Sequence, residues 1–183
     1  MYYEKELQYF LKILNRMYLQ SLWIDSSTIP CDRMNFGLYH FFGREDSVNE
    51  VFCCPNHWAK ENTVYKLTDE FLCNYIYFLL PETSEPTAIL AGPYLSFHKS
   101  REDLLEEAER YGIPTSKFSQ LESCYSGIPV FPDDTQIFIM INVLGEILWG
   151  KNNAYEIIDM NQDYSSPKDS LIHGIIHVFT SLI

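Results

Sequence analysis

Five cysteines and five histidines carry most of the metal-binding and nucleophilic potential of this chain, and their spacing decides how much of it is usable. Cys53-Cys54-Pro55-Asn56-His57 sets two thiols and an imidazole within five residues. A closed zinc site needs four ligands, ordinarily in spaced pairs, and adjacent cysteines do not easily grip one ion tetrahedrally. They read as half-buried thiols. His173 and His177 share one face of a helix, but Gly174-Ile175-Ile176 stands where a metalloprotease helix carries glutamate. They read as the wetter edge of an apolar helix, and no metal site is expected. Nucleophilic catalysis needs Cys or Ser held near a base. Cys124-Tyr125-Ser126-Gly127 is not a nucleophile elbow, and no phosphate-cradling or dinucleotide glycine pattern occurs. Glu102, Glu106, Glu107 and Glu109 read as the solvated side of a surface helix. The chain is therefore expected to be neither an enzyme nor dependent on a cofactor.

Composition narrows the partners. Of 183 residues, 25 are acidic and 13 are Lys or Arg, a formal net charge of −12. Nucleic-acid affinity rests on cations that neutralise phosphates, and no basic stripe occurs, so direct nucleic-acid binding is not expected. An anionic membrane surface is disfavoured for the same reason. The odd cysteine count and the absence of a secretory h-region in Tyr2 to Leu22 point to reduced thiols in a cytoplasm. Aromatic residues reach 15%, enough to fill a core, line a ligand pocket or build an interface.

The elements that must position these side chains follow from periodicity. Leu7, Phe10, Leu11, Leu14, Met17 and Tyr18 fall at helical spacing, so Tyr2 to Trp23 is expected to be a helix. Phe36 to Phe42 fits a short strand or a helical turn. Val64 to Leu67 and Leu72 to Leu80 read as strands around Thr68-Asp69-Glu70; the near-continuous apolar run from Cys73 suits a strand covered on both faces, and periodicity alone leaves a buried helix open. Pro81 to Pro86 connects to a returning strand, Thr87 to Ala91, which Gly92-Pro93 ends. Ser100 to Tyr111 has an N-cap serine, Asp103 three residues on, and Gly112 beyond its end. Its apolar face is Leu104, Leu105, Ala108 and Tyr111. A short helix, Lys117 to Tyr125, and a longer one, Pro132 to Trp149, follow. The latter is apolar nearly all round and is expected to be mostly buried, with Asp133 and Asp134 at its positive end. Tyr155 to Met160 fits a last strand. The chain divides into a domain, residues 1–160, and residues 161–183, a polar linker followed by an apolar terminal helix. No internal repeat is visible.

Three stretches in this order, Ala88-Ile89-Leu90-Ala91-Gly92-Pro93-Tyr94-Leu95, Ala108-Glu109-Arg110-Tyr111-Gly112-Ile113-Pro114 and Gly145-Glu146-Ile147-Leu148-Trp149-Gly150, resemble the N-terminal sensory region of AraC-type bacterial transcription regulators. That region falls in the broad group of PocR-like and GAF-like sensors. With Ile128-Pro129-Val130 the likeness spans roughly two-thirds of the chain, through order and spacing rather than any one motif.

The resemblance implies an α+β domain, PAS/GAF-like, with an antiparallel sheet flanked by helices. It leaves PAS against GAF strand order open. It also implies an unknown small-molecule effector in a pocket on the sheet, and a helical output to a C-terminal helix-turn-helix domain. No basic helix-turn-helix pair occurs in the sequence up to Ile183, so that DNA-binding domain is expected outside this chain. By resemblance, Cys73, Tyr75, Tyr77 and Leu79 on one face of the central strand are candidate pocket lining. Tyr94 and Trp149 are candidate aromatic walls and Asn142 a polar contact. Leu171, Ile175, Val178, Phe179 and Leu182 fit a helix that either pairs with its twin or packs on its own domain, and a homodimer through the first or last helix is expected. The alternative is a dimerisation or protein-interaction module with a filled core and no ligand. A third reading is a small enzyme whose site is assembled from distant residues.

Overall fold

The computed structural model describes residues 3–25, 37–44, 59–81, 83, 86–150 and 156–160. The predicted Cys53/Cys54/His57 and His173/His177 groups and the terminal helix lie outside the described residues. The domain is α+β. Five strands, β1 (Gln20–Ile24), β2 (Thr63–Thr68), β3 (Asn74–Leu79), β4 (Ala88–Tyr94) and β5 (Glu156–Asp159), form one open sheet in the order β1-β4-β3-β2-β5. All pairs are antiparallel except β2–β5, which is parallel. Helices cover both faces, an arrangement compatible with the PAS/GAF-like class.

That double cover explains the near-continuous apolar run of the central strand. Every residue of β3 is buried. Tyr75, Tyr77 and Leu79 face one core and Ile76 and Phe78 the other. A strand with helices on both sides has no wet face to show as alternation. The first core is closed by α2 (Gly37–Phe42), α3 (Arg101–Arg110) and α4 (Phe118–Ser126). The second is closed by α1 (Glu4–Arg16) and α5 (Thr135–Trp149).

The first helix stops earlier than its periodicity suggests. Tyr18 takes φ 63°, and the Tyr18 and Leu19 N–H groups donate to the Asn15 and Leu14 carbonyls, both at 3.0 Å. This is a Schellman ending with tyrosine where glycine is usual. It turns Gln20–Ile24 into an edge strand on β4 instead of a further helical turn. The same ending closes α3, where Gly112 (φ 65°) donates to Glu109 O and Ile113 N to Ala108 O. At the start of α3 the capping box is complete: Asp103 N donates to Ser100 Oγ at 3.1 Å and Ser100 N to Asp103 Oδ2 at 2.8 Å. The face of α3 differs from expectation, since Leu105 is exposed and Glu107 is buried. The ambiguous segment before Phe42 is helical.

β4 does not end at Gly92-Pro93. Ile76 pairs with Ala91, yet Asn74 pairs with Tyr94, so β4 carries one extra residue between these pairs. This bulge reverses the side-chain alternation. Ala88 and Leu90 face the first core, whereas Tyr94 faces the second. Asn74 fixes the shifted segment, donating from Nδ2 to Tyr94 O (3.3 Å) and Ser96 Oγ (3.0 Å) while Oδ1 accepts from Thr68 Oγ1 at 2.7 Å. Glycine at 92 is required by contact: a Cβ there would stand 2.7 Å from Tyr75 Cδ1 and 2.9 Å from Asn74 O.

α5 is not buried all round. Ile137, Ile141, Leu144 and Leu148 face the core, but Ile139 (54% exposed) and Val143 (55%) lie with Ile147 on the outer side. Tyr9 and Ile13 of the neighbouring α1 are exposed as well.

Replacing Gly92 by alanine is expected to destabilise the domain by about 2 kcal/mol or more, because the obstacle includes backbone that cannot turn aside. Urea unfolding measures this, and an unchanged midpoint would show that the bulge does not constrain the sheet.

Candidate functional site

The site starts from the turn between β2 and β3. Asp69 follows the last residue of β2, and its Oδ1 accepts from the N–H groups of Phe71 (2.9 Å) and Cys73 (2.8 Å). An aspartate that satisfies the backbone two residues on is a common turn device, normally at the surface. Here the turn tucks inward. Leu72 takes φ 64°, Phe71 is fully buried, and Asp69 is only 7% exposed. Its second oxygen accepts from Tyr75 Oη of β3 at 3.0 Å. Tyr39 of α2 lies beside the same carboxylate.

None of the ion pairs among the described residues involves Asp69. Burial pushes its carboxyl up to about 6, against the opposing pull of the Cys73 N–H, the Tyr75 hydroxyl, the Phe71 N–H and Tyr39. Burial, and next the Asp69 charge, drive the Tyr39 and Tyr75 phenols and the Cys73 thiol well above their ordinary ranges. All three are therefore neutral hydrogen-bonding groups at physiological pH, not nucleophiles or bases.

A second buried polar group adjoins the first core. Lys99 Nζ meets Glu107 Oε2 at 3.0 Å, with both side chains more than nine-tenths buried. The ammonium also lies 5.2 Å from the centre of the Tyr125 ring. Glu107 is thus the partner of a buried cation rather than part of a solvated face. Burial, and next the Glu107 carboxylate beside it, raise the Tyr125 phenol.

A cavity of about 240 Å³ lies against the first core. The sheet supplies Cys73, Tyr75 and Pro93 as its floor, with Gln20 at the edge strand and Tyr18 from the helix ending. The cover is Leu38 and Tyr39 of α2, Ser123 and Cys124 of α4, and the following Gly127, Ile128 and Pro129. Leu95 secures that last segment, donating to Pro129 O at 2.9 Å and accepting from Phe131 N at 2.8 Å. Cys73 and Cys124 are both free thiols.

The structure divides the six sequence-predicted lining residues between two places. Cys73 and Tyr75 line the cavity, and Tyr77 points into the same core without reaching it. Tyr94 lies on the other face of the sheet, where its hydroxyl donates to Asp134 Oδ2 at 2.9 Å. That carboxylate also pairs with Lys66 Nζ at 2.6 Å. Trp149 packs against the α1/α5 core, and Asn142 is on α5 too. These three residues cannot join Cys73 and Tyr75 in one pocket because the sheet stands between. The bulge is the cause for Tyr94: without the extra residue, its even-numbered position would share the face of Ala88 and Leu90. For Asn142 and Trp149 the cause is the side of the sheet on which α5 packs.

Sequence reasoning missed Tyr39, Asp69, Gln20 and the Cys124 to Pro129 cover. Asp69 was visible as a turn residue, but not as a buried one. Among the described residues no cluster of three or more His, Cys, Asp or Glu could hold a metal ion, and no helix is long and apolar enough to cross a membrane. Comparison of the chain with protein-family models, with curated proteins and with solved structures finds no match in any of the three.

The raised Asp69 carboxyl has a defined effect on stability. In an unfolded chain it titrates near 3.8, so between that value and about 6 the folded state holds a proton the unfolded state has lost. The contribution is fully present below 3.8 and is lost as pH rises through 6. Relative to Asp69→Asn, the wild-type chain should gain on the order of 1 kcal/mol of unfolding free energy on going from pH 8 to pH 5. Urea titrations at both pH values test this, and parallel changes in the two proteins would contradict it.

Proposed function

We propose that this chain is a non-enzymatic, small-molecule-sensing domain. It binds its effector in the cavity over Cys73 and Tyr75 and passes a conformational bias to a helix-turn-helix DNA-binding domain outside this chain. The observation that carries the reading is a cavity of about 240 Å³ between the sheet and its helical cover, with buried Leu38, Tyr39, Cys73 and Tyr75 in its wall. Small-molecule sites are concave and combine apolar or aromatic walls with a few polar groups, and this cavity mixes both kinds of lining. The sequence resemblance to AraC-type sensory regions points the same way. The buried thiols and phenols, held neutral by burial, support binding over catalysis.

The cover is suited to signalling. It rests on a short helix, α2, and on α4 with its tail to Pro129, all of which contribute side chains to the wall. A ligand shifts such an equilibrium only by its difference in affinity between two states of this cover. On the opposite face, Tyr9, Ile13, Ile139, Val143 and Ile147 give the α1/α5 layer an exposed apolar surface suited to a second copy. The same surface supports the competing reading of a dimerisation module with no ligand, and the two separate experimentally.

A thermal-shift screen of metabolites on the purified chain tests the sensor reading. A compound at about 100 times its Kd should raise the midpoint by roughly 5–10 °C. Gly127→Leu should abolish that shift, because residue 127 lines the cavity and a Cβ there meets only ordinary contacts at 3.5 Å or more. If no compound acts on the wild-type chain, the dimerisation module is the better account. The dimer surface is tested by Ile139→Glu with Val143→Glu, which should halve the mass measured by light scattering. A wild-type chain that is already monomeric would remove the α1/α5 surface from the account.

A further inference from the structure

Helix α4 brings Ser123 and Cys124 to the cavity wall and runs on into Gly127, Ile128 and Pro129, which line it too. Of its nine residues only Leu121 and Tyr125 are buried. A helix this short is not stable by itself, so its position depends on what touches it. Its tail is fixed through the backbone by the bonds of Leu95 to Pro129 O (2.9 Å) and from Phe131 N (2.8 Å). Its body is met by two cations from the start of α3. Arg101 lies 5.7 Å from the centre of the Phe118 ring and 3.8 Å from Glu122 Oε1. The Arg101 side chain is 73% exposed, and a contact so open to water contributes little. Lys99 is placed differently. Its side chain is 8% exposed, its ammonium meets Glu107 Oε2 of α3 at 3.0 Å, and it stands 5.2 Å from the centre of the Tyr125 ring. A cation over an aromatic face is worth most when both are out of water.

A buried ion pair adds little to stability alone, since desolvation offsets most of its attraction and apolar residues of the same volume serve a core as well. What this pair adds is a fixed position for one charge. We propose that Lys99 is the positioning residue of the cover, a latch whose ammonium, held by Glu107, keeps the body of α4 closed over the cavity through the Tyr125 ring. This rests on the sensor reading given above and names the residue that governs access to its pocket. Lys99 and Glu107 both stand on the α3 side. The ion pair therefore survives when α4 lifts, and only the ring contact is exchanged for water. The tail bonded to Leu95 stays in place, so α4 pivots there and uncovers the floor at Cys73. Local openings of this kind occur in weakly packed elements at free energies below that of global unfolding.

Iodoacetamide labelling of the full chain, read peptide by peptide by mass spectrometry, tests the latch with no effector present. Cys73 is 0% exposed on the cavity floor, so its thiol reacts only when the cover opens. Cys124 is partly exposed and serves as the reference. Lys99→Met alone would strand the Glu107 carboxylate, so it is combined with Glu107→Gln, which removes both charges at similar volume. The double variant should keep the wild-type urea midpoint and label Cys73 at least about tenfold faster without urea, with Cys124 unchanged. An unchanged Cys73 rate at an unchanged midpoint overturns the latch and leaves the pocket to be judged by the metabolite screen. If the midpoint falls, amide exchange separates the causes: α4 should accelerate more than β3, and equal acceleration of both overturns the latch. The wild-type chain decides the matter if the variant does not fold. Its α4 amides should exchange faster than those of β3 and independently of low urea, and exchange of both elements at one rate overturns the proposal.

Discussion

A carboxylate taken out of water, with no cation beside it among the described residues, is the constraint around which the first core is organised. Asp69 takes two backbone N–H groups from its own turn and a hydroxyl from Tyr75, and these fix the inward course of the β2–β3 connection. That course buries Phe71 between the rings of Tyr39, Phe42 and Tyr111, with centroid distances of 4.9, 4.7 and 5.6 Å. The turn thereby becomes the seat of α2 as well as the end of a hairpin. α2 in turn supplies Leu38 and Tyr39 to the cavity wall. The same interactions that stabilise the turn therefore shape one wall of the cavity. Hydrogen bonds to a charged acceptor are among the stronger ones available, and buried networks of this kind hold a single geometry.

The second organising feature is the extra residue in β4. In a sheet buried on both faces, side-chain direction decides which core a residue joins, and a shift of one position exchanges the cores. The bulge at Gly92 gives Pro93 to the cavity and Tyr94 to the α1/α5 side. There Tyr94 and Lys66 converge on Asp134 at the start of α5. One irregularity thus ties the cavity floor to the position of the helix on the opposite face. Any movement at the floor has a short covalent path, through residues 93 and 94, to the layer that carries the exposed apolar surface.

Much of the fold was legible in the sequence where a local signal and the tertiary requirement agreed. The capping box at Ser100 and Asp103 and the Gly112 ending marked α3 at both ends. The apolar run from Cys73 marked a strand covered on both sides. Legibility failed where an ordinary residue does an unusual job. Tyr18 ends α1 in a conformation that glycine usually supplies, so the helix read on into what is β1. Glu107 looked like its exposed neighbours in α3 because its partner, Lys99, lies before the helix. The candidate site was half legible. Cys73 and Tyr75 follow from strand alternation, whereas the assignment of Tyr94 depended on a bulge that has no distinct pattern in the chain. Asp69 carries a turn signature, and its burial depends on packing by α2, which is remote in sequence.

The account stands or falls on where a small molecule binds, and tyrosine-ring NMR locates it directly. The chain has 13 tyrosines, whose ring resonances can be assigned by single Tyr→Phe variants. With ring-labelled protein titrated with a compound that raises the midpoint in the thermal-shift screen, the resonances of Tyr18, Tyr39 and Tyr75 should move together and saturate. Those of Tyr3 and Tyr94, across the sheet, should stay within a small fraction of that change. Shifts centred on Tyr3 and Tyr94, with the first three unmoved, would contradict a binding site on the Asp69 side of the sheet.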